Sequence, residues 1–152
     1  MTSSLRHAAL GLALVLASGL AAAQADSPTG LWKTVDDNTK KEKSLVRIVE
    51  SGGVYTGKVE KEIDPDSPKD ATCKDCTDER KDKPVVGMTI IRNMKASAGD
   101  KNVFEGGDIL DPNNGKVYSA KLTLVEGGKK LDVRGYIGMP MLGRTQTWQR
   151  VE

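Results

Sequence analysis

The chain has 152 residues, with 23 lysines and arginines against 21 aspartates and glutamates, and a formal net charge of +2 at pH 7. This near balance, without a clustered basic face, argues against nucleic acid as a partner. The single histidine, His7, lies in a segment that we expect to be removed. A histidine base or a histidine-ligated metal is therefore excluded from the mature chain.

The first 25 residues have the pattern of a secretory signal peptide. Arg6 and His7 supply a short positive region, and the apolar run AALGLALVLASGLAAA follows. Ala23-Gln24-Ala25 then offers small residues at the positions that a signal peptidase reads. The apolar run is short for spanning a ~30 Å membrane core. No cysteine lies near the cleavage point, which argues against a lipid anchor. We predict a cleaved signal peptide at 1–25, one mature domain at 26–152 without a membrane span, and a periplasmic or secreted location.

After the signal peptide, short alternating runs are broken by turn residues. Strand patterns cover 29–35, 44–50, 53–61, 85–94, 102–110, 116–126, 129–137 and 142–151. Gly52-Gly53 and Gly127-Gly128 are hairpin signals, and DPNNG at 111–115 is a turn signal. No run of ten or more residues has helical periodicity. The pattern predicts an all-β fold, an eight-stranded antiparallel up-and-down barrel that leaves no sheet edge free, with a two-sheet sandwich as the alternative.

Alternation within the strands identifies the expected inner face of the barrel. One set is Tyr118, Ala120, Leu122 and Leu124, and a second is Leu131, Val133, Gly135 and Ile137. Val86, Met88 and Ile90 share a face of the fourth strand, although Thr89 and Ile91 make that strand ambiguous. We expect the first two sets to point inward, and the direction of the third set stays open.

A polar insertion separates the third and fourth strands. Residues 64–84 contain three prolines and charges of both signs, which predicts a long surface loop that cannot build a core. Within it, Cys73 and Cys76 form a C-x-x-C motif, and an oxidising compartment favours a structural disulfide. Thiol redox chemistry and a metal site stay open as alternatives. Neighbouring acids such as Asp75 and Asp78 disfavour a thiolate, and a zinc site without histidine would be poor.

The last predicted strand carries polar residues on an apolar face. Leu142, Arg144, Gln146 and Trp148 share one side. A guanidinium and an amide buried there need acceptors or water. Since an eight-stranded barrel can hold one small ligand, Arg144, Gln146 and Tyr118 would suit an amphipathic molecule with an anionic head. In the structural alternative, Arg144 pairs with an internal carboxylate such as Asp108 or stacks on Trp148.

Four segments resemble one bacterial family. They are PTGLWKT, KDKPVVGMTII, FEGGDILDPNNGKVYSAKLTL and LDVRGYIGMPMLGRTQTWQRV, and they are similar to the domain of unknown function 2147 family of exported proteins. The resemblance covers essentially all of 26–152. It implies a lipocalin-like β-barrel in the cell envelope, no established activity and no catalytic residues. The Cys-bearing loop departs from the family pattern, so any role of the cysteines would belong to a subset.

Lipocalin-like barrels plug one end with a Gly-x-Trp motif under an arginine of the last strand. Gly30 and Trp32 match that motif here, so the resemblance implies a structural role for them. Arg150 or Arg144 would supply the cation–π contact.

Met139-Pro140-Met141 lies at the tip of the last predicted hairpin. Two thioethers can bind copper(I). Without a further ligand nearby, an apolar loop cap is the simpler interpretation, and an exposed pair could also contact a partner.

The chain lacks a recognisable catalytic constellation. It has no mature histidine, no serine in a nucleophile elbow, no spaced carboxylate pair and no glycine-rich phosphate loop. We predict a non-enzymatic envelope protein, without metal or cofactor, that binds a small amphipathic or hydrophobic ligand in its barrel. The alternative is a periplasmic interaction or structural module that binds an envelope protein through its outer surface or Cys loop. The candidate ligand-binding residues are Arg144, Gln146, Trp148, Tyr118 and Asp108.

Overall fold

Eight antiparallel strands form a closed barrel in sequence order. The computed structural model describes residues 26–152, and the predicted signal peptide at 1–25 lies outside the described residues. The strands are β1 (Gly30–Val35), β2 (Glu42–Ser51), β3 (Val54–Glu62), β4 (Thr89–Ala96), β5 (Val103–Asp111), β6 (Lys116–Val125), β7 (Lys130–Tyr136) and β8 (Arg144–Arg150). Two 3-10 turns, Glu126–Gly128 and Pro140–Leu142, are the helical segments of the described part. The predicted eight-stranded barrel is confirmed.

The first and last strands close the barrel. Trp32 is opposite Arg150, and Lys33 is opposite Gln149. Beyond these pairs, the backbone N–H of Val151 donates to the carbonyl oxygen of Leu31 at 2.8 Å. The alternative of a two-sheet sandwich is wrong, because a sandwich leaves its sheet edges unpaired.

The up-and-down order distributes the connections between two ends of the barrel. The end where β1, β3, β5 and β7 finish carries the connections 36–41, 63–88, 112–115 and 137–143. We call it the open end. The opposite end, here called the closed end, carries the connections 52–53, 97–102 and 126–129. It also carries the start of β1 and the end of β8.

The closed end is filled by Trp32. Its side chain is fully buried, and its indole Nε1 donates to the carbonyl oxygen of Pro28 at 2.7 Å. The guanidinium carbon of Arg150 lies 4.2 Å from the ring centroid. The sequence offered either Arg144 or Arg150 as the source of the cation–π contact with Trp32. In the structure it is Arg150.

Gly30 allows the chain ends to meet at the plug. Its φ of +131° is unfavourable for other residues, and a Cβ there would lie 2.2 Å from the carbonyl oxygen of Glu152. The Gly-x-Trp motif therefore depends on a missing side chain as much as on the indole.

The hydrophobic core occupies the interior of the barrel. Its fully buried side chains include Ile48, Ile91, Met94, Leu110, Leu122 and Leu131. The inner-face prediction is confirmed for β6 and β7 at Ala120, Leu122, Leu124, Leu131 and Val133. Val86 and Ile137 are exposed rather than part of this core. Both lie outside a strand, because β4 begins at Thr89 and β7 ends at Tyr136, so alternation does not extend to them.

The connection 63–88, which we call the Cys loop, packs against the barrel. Cys73 and Cys76 form the predicted disulfide, and both residues are buried. They belong to the main core cluster together with Val85 and Met88. The prediction that this segment contributes nothing to a core is wrong. A disulfide makes two cysteines a compact apolar group, so a few apolar residues suffice to anchor a polar loop.

A buried arginine of the Cys loop, Arg80, bonds the loop to the barrel. Its buried guanidinium binds the carboxylate of Asp78 and donates to the carbonyl oxygen of Thr89 at 2.9 Å. The hydrogen bonds from Arg80 lower the pKa of Asp78 to about 2. The loop is thus attached to the start of β4 by a charged group as well as by the disulfide.

Candidate functional site

A cavity of about 510 Å³ occupies the open end of the barrel. Its volume lies within the ~300–1,000 Å³ of ordinary small-molecule sites. All eight strands contribute lining residues, and the apolar ones from the strands are Val59, Ile90, Ile109, Leu110, Val133 and Trp148. The cavity exists because large side chains such as Trp32 and Phe104 fill the barrel elsewhere, whereas small residues such as Ser44 and Gly135 line this end.

Two polar pairs are built into the cavity wall. The hydroxyls of Thr34 and Ser44 lie 3.0 Å apart, and the backbone N–H of Ser44 donates to Thr34 Oγ1 at 3.0 Å. On β8, Trp148 Nε1 donates to Gln146 Oε1 at 3.0 Å. These bonds satisfy buried polar atoms and orient the indole before any ligand arrives.

Arg144 lies at the rim of the cavity with 66% of its side chain exposed. Its guanidinium donates to both carboxylate oxygens of Asp37, at 2.5 and 3.1 Å. This bidentate contact holds the pKa of Asp37 below its ordinary value and raises that of Arg144. The charge of Arg144 is therefore already matched by a neighbouring carboxylate.

Asp108 does not line the cavity. It is opposite Arg92 on β4 and Ser119 on β6. Ser119 is exposed and precedes the inward Ala120, so Asp108 faces the outside of the barrel. The interpretation of Asp108 as the internal partner of Arg144 is wrong, and Asp37 takes that place.

Asp37 could have been found by combining two sequence signals. Closure of an up-and-down barrel makes β8 antiparallel to β1, so residues just after β1 lie beside the start of β8. A carboxylate at Asp37 and a guanidinium at Arg144 then become neighbours at the open end.

The other three predicted ligand residues line the cavity. Trp148 is buried, whereas Gln146 and Tyr118 are half-buried. The hydroxyl of Tyr118 accepts a hydrogen bond from Asn114 Nδ2 at 3.3 Å. Their role in binding a ligand stays a prediction.

Glu62 was missed because of a bulge. It is opposite Ser44, but Val59 is opposite Val46, so β3 contains one residue more than β2 over this stretch. Strict alternation from Val59 would have turned Glu62 outward; the bulge turns it into the cavity. The pKa of Glu62 is raised, chiefly by burial. The positive charge of Lys43 opposes this shift, and the negative charge of Asp64 adds to it.

The Cys loop forms one wall of the cavity. Ser67, Pro68, Ala71 and Val85 all line it. The disulfide thus stabilises a segment that borders the candidate site. No cluster of metal-ligating side chains occurs within residues 26–152.

The connection between β7 and β8 presents exposed apolar side chains. Ile137, Met139, Met141 and Leu142 are 56–74% exposed, and Ile137 and Leu142 also line the cavity. Met139 and Met141 are 56% and 68% exposed and lie outside the main core cluster, so Met139-Pro140-Met141 does not cap the core. A contact between this hairpin and an envelope protein stays a prediction.

No helix within residues 26–152 is long and apolar enough to cross a membrane.

Comparisons with known proteins extend the assignment of the fold. The family described as "Uncharacterized protein conserved in bacteria (DUF2147)" matches residues 30–150. Among solved structures, protein HP1028 from the human pathogen Helicobacter pylori, described as belonging to the lipocalin family, is similar with a TM-score of 0.70 and 20% identity. The similarity covers 83% of this chain and 84% of that one. It shows a lipocalin-like fold. No curated protein matches the chain.

Proposed function

Since the chain belongs to the bacterial DUF2147 family and has a lipocalin-like barrel, we propose that it is an exported, non-enzymatic binding protein for a small amphipathic molecule. The observation that carries the proposal is the cavity of about 510 Å³ at the open end, whose walls are partly apolar and partly polar. The N-terminal signal pattern and the disulfide support export to the periplasm or beyond.

The lining supports an amphipathic ligand rather than a purely polar one. A hydrocarbon group placed against Val59, Ile90 and Val133 would gain roughly 25 cal/mol for each Å² of apolar surface removed from water. A polar group would find acceptors and donors in Gln146 and Tyr118. The oriented polar groups would then fix which end of the ligand enters first.

The test is native mass spectrometry of the protein purified from its own envelope, combined with titration of N-phenyl-1-naphthylamine, a neutral fluorescent amphiphile. Val133→Phe places a larger side chain in the cavity and should abolish both the adduct and the fluorescence increase. Val117→Phe makes the same change at an exposed position of β6 and should leave both intact. An apo mass together with no fluorescence increase in the wild-type protein would overturn the proposal.

A further inference from the structure

The cavity lining contains more negatively charged than positively charged side chains. Four carboxylates line it, from Asp36, Asp37, Glu62 and Asp111, against two cations, Lys43 and Arg144. The chain as a whole carries the opposite sign, with a net charge of +2. A concave site lined by one sign of charge concentrates counter-ions of the other sign.

Both cations of the lining are already engaged. Lys43 forms an ion pair with Asp64, which is outside the lining, and Arg144 is held by Asp37. Within residues 26–152, Asp36, Glu62 and Asp111 have no ion-pair partner. An anionic ligand would have to displace Asp37 from Arg144 and approach three carboxylates that form no ion pair within residues 26–152.

The three carboxylates come from different parts of the barrel wall. Glu62 lies on β3 and Asp111 at the end of β5, while Asp36 follows β1. The charges of Asp36 and Asp111 both reach Arg144 and raise its pKa, so they act on the same region of the open end. Glu62 is partly buried in the cavity wall, and this burial raises its pKa.

Aromatic rings accompany these carboxylates. Tyr118, Tyr136 and Trp148 line the same cavity. Aromatic faces attract cations by about 0.5–2 kcal/mol, whereas they offer nothing comparable to an anion. Carboxylates and aromatic rings together make a chemical environment suited to an amine or a quaternary ammonium group.

We propose that the ligand of this cavity is a cationic amphiphile, with an amine-type head beside Glu62 and the open-end carboxylates and an apolar body against Val59, Ile90 and Val133. This inference rests on the proposed function and reverses the anionic head expected from Arg144. Recognition of the head depends on Glu62, a partly buried carboxylate without an ion-pair partner that the bulge in β3 turns into the cavity.

The experiment compares decylamine, decanol and decanoate, which share one hydrocarbon chain, by isothermal titration calorimetry at pH 7 and low salt. Decylamine should bind roughly tenfold more tightly than decanoate, as expected for one favourable charge contact, with decanol between them. Added salt should reduce this preference because exposed charges become screened.

Glu62→Gln should reduce the preference for decylamine over decanoate several-fold. The matched control is Glu60→Gln, two residues away on β3, where the side chain pairs with Arg47 outside the lining. If Glu62→Gln does not fold, Asp111→Asn should reduce the preference in the same direction.

Three outcomes overturn the inference. In the first, decanoate binds as tightly as decylamine. In the second, the substitutions at Glu62 and Glu60 change the preference equally. Both leave the proposed function standing when decanol binds. In the third, none of the three compounds binds, and the proposed function falls as well.

Discussion

At the scale of single residues, Arg150 connects several parts of the closed end of the barrel. Its guanidinium lies over Trp32 and donates to three backbone carbonyl oxygens at 2.6–2.7 Å, those of Ser27, Thr29 and Gly128. One side chain thereby joins the segment before β1, the connection after β6 and the indole plug. Its partial burial is tolerated because each of the three guanidinium nitrogens donates to a backbone carbonyl oxygen.

We therefore expect Arg150→Ala to lower the free energy of unfolding by about 2–4 kcal/mol, from the lost cation–π contact and charge-assisted hydrogen bonds. Arg150→Lys should cost less but remain destabilising, because an ammonium group lacks the planar fork. Urea unfolding followed by tryptophan fluorescence measures both.

The control is Arg47→Ala, which removes an exposed arginine that pairs with Glu60 and Glu152. Exposed ion pairs contribute little, so this variant should unfold near the wild-type midpoint. Equal losses in Arg150→Ala and Arg47→Ala would contradict the role of Arg150.

At the scale of elements, the Cys loop is stabilised by contacts that its composition conceals. Gly115, at the turn between β5 and β6, has a φ of +72° and touches the loop backbone. A Cβ there would lie 2.0 Å from the carbonyl oxygen of Asp75. The turn and the disulfide-bearing loop therefore pack backbone against backbone, which only a glycine permits.

Gly115→Ala should destabilise the protein by about 1–3 kcal/mol, because it adds both backbone strain and a clash with the loop. Gly106→Ala is the matched control: its φ is +85°, but nothing lies within 4 Å of the added Cβ. Chemical denaturation gives the free energies of unfolding of the two variants, and limited proteolysis measures how well the Cys loop is protected. If both variants lose the same stability and the loop stays protected, the packing argument fails.

The ion pair of Asp78 and Arg80 makes the loop sensitive to acid. The pKa of Asp78 is about 2 in the fold against an ordinary 3.8, so its contribution is fully present above the unfolded value. The contribution is lost as the pH falls through the folded value. After allowance for solvent screening it should be on the order of 1 kcal/mol.

Asp78→Asn should therefore be less stable than wild type at pH 5, and the difference should shrink to a small fraction by pH 2. Urea unfolding at the two pH values measures it. The comparison with Asp78→Asn separates this residue from the other carboxylates with lowered pKa values. A difference that stays constant between the two pH values would rule out the assigned role of Asp78.

At the scale of the whole molecule, the barrel is uneven around its circumference. Two residue pairs and the backbone hydrogen bonds of Leu31 with Val151 and Glu152 join β1 to β8, whereas seven pairs join β6 to β7. A shorter ladder means that the seam between β1 and β8 should open locally at a lower free energy than the pairing of β6 with β7.

Hydrogen exchange in the native state should show this order. We expect the amides of Leu31 and Val151, which bond across the seam, to exchange faster than those of Leu122 and Val133 on β6 and β7. Mass spectrometry of peptic fragments or NMR resolves the two groups. Equal protection of seam and centre would mean that the barrel opens only as a single cooperative unit.

The sequence by itself determined the strand order, the turns and the disulfide. Alternation around Leu122 and Val133 identified the inward faces, and Gly52-Gly53 identified a hairpin, with positive φ values at both positions. These signals are local, because side-chain direction in a strand and the φ of a glycine depend only on near neighbours. The same signals, together with the polar residues on the face of Trp148, located four of the lining residues, Tyr118, Arg144, Gln146 and Trp148.

The tertiary structure alone decided the chemistry of the cavity. Barrel closure paired Arg144 with Asp37, and the bulge in β3 turned Glu62 inward. The Cys loop became a wall of the site by packing on the barrel. Each of these depends on contacts between residues far apart in the chain or on a shift in strand register, and a period of two in the sequence contains neither. The local sequence pattern therefore determined the barrel, and long-range contacts determined which charges face its cavity.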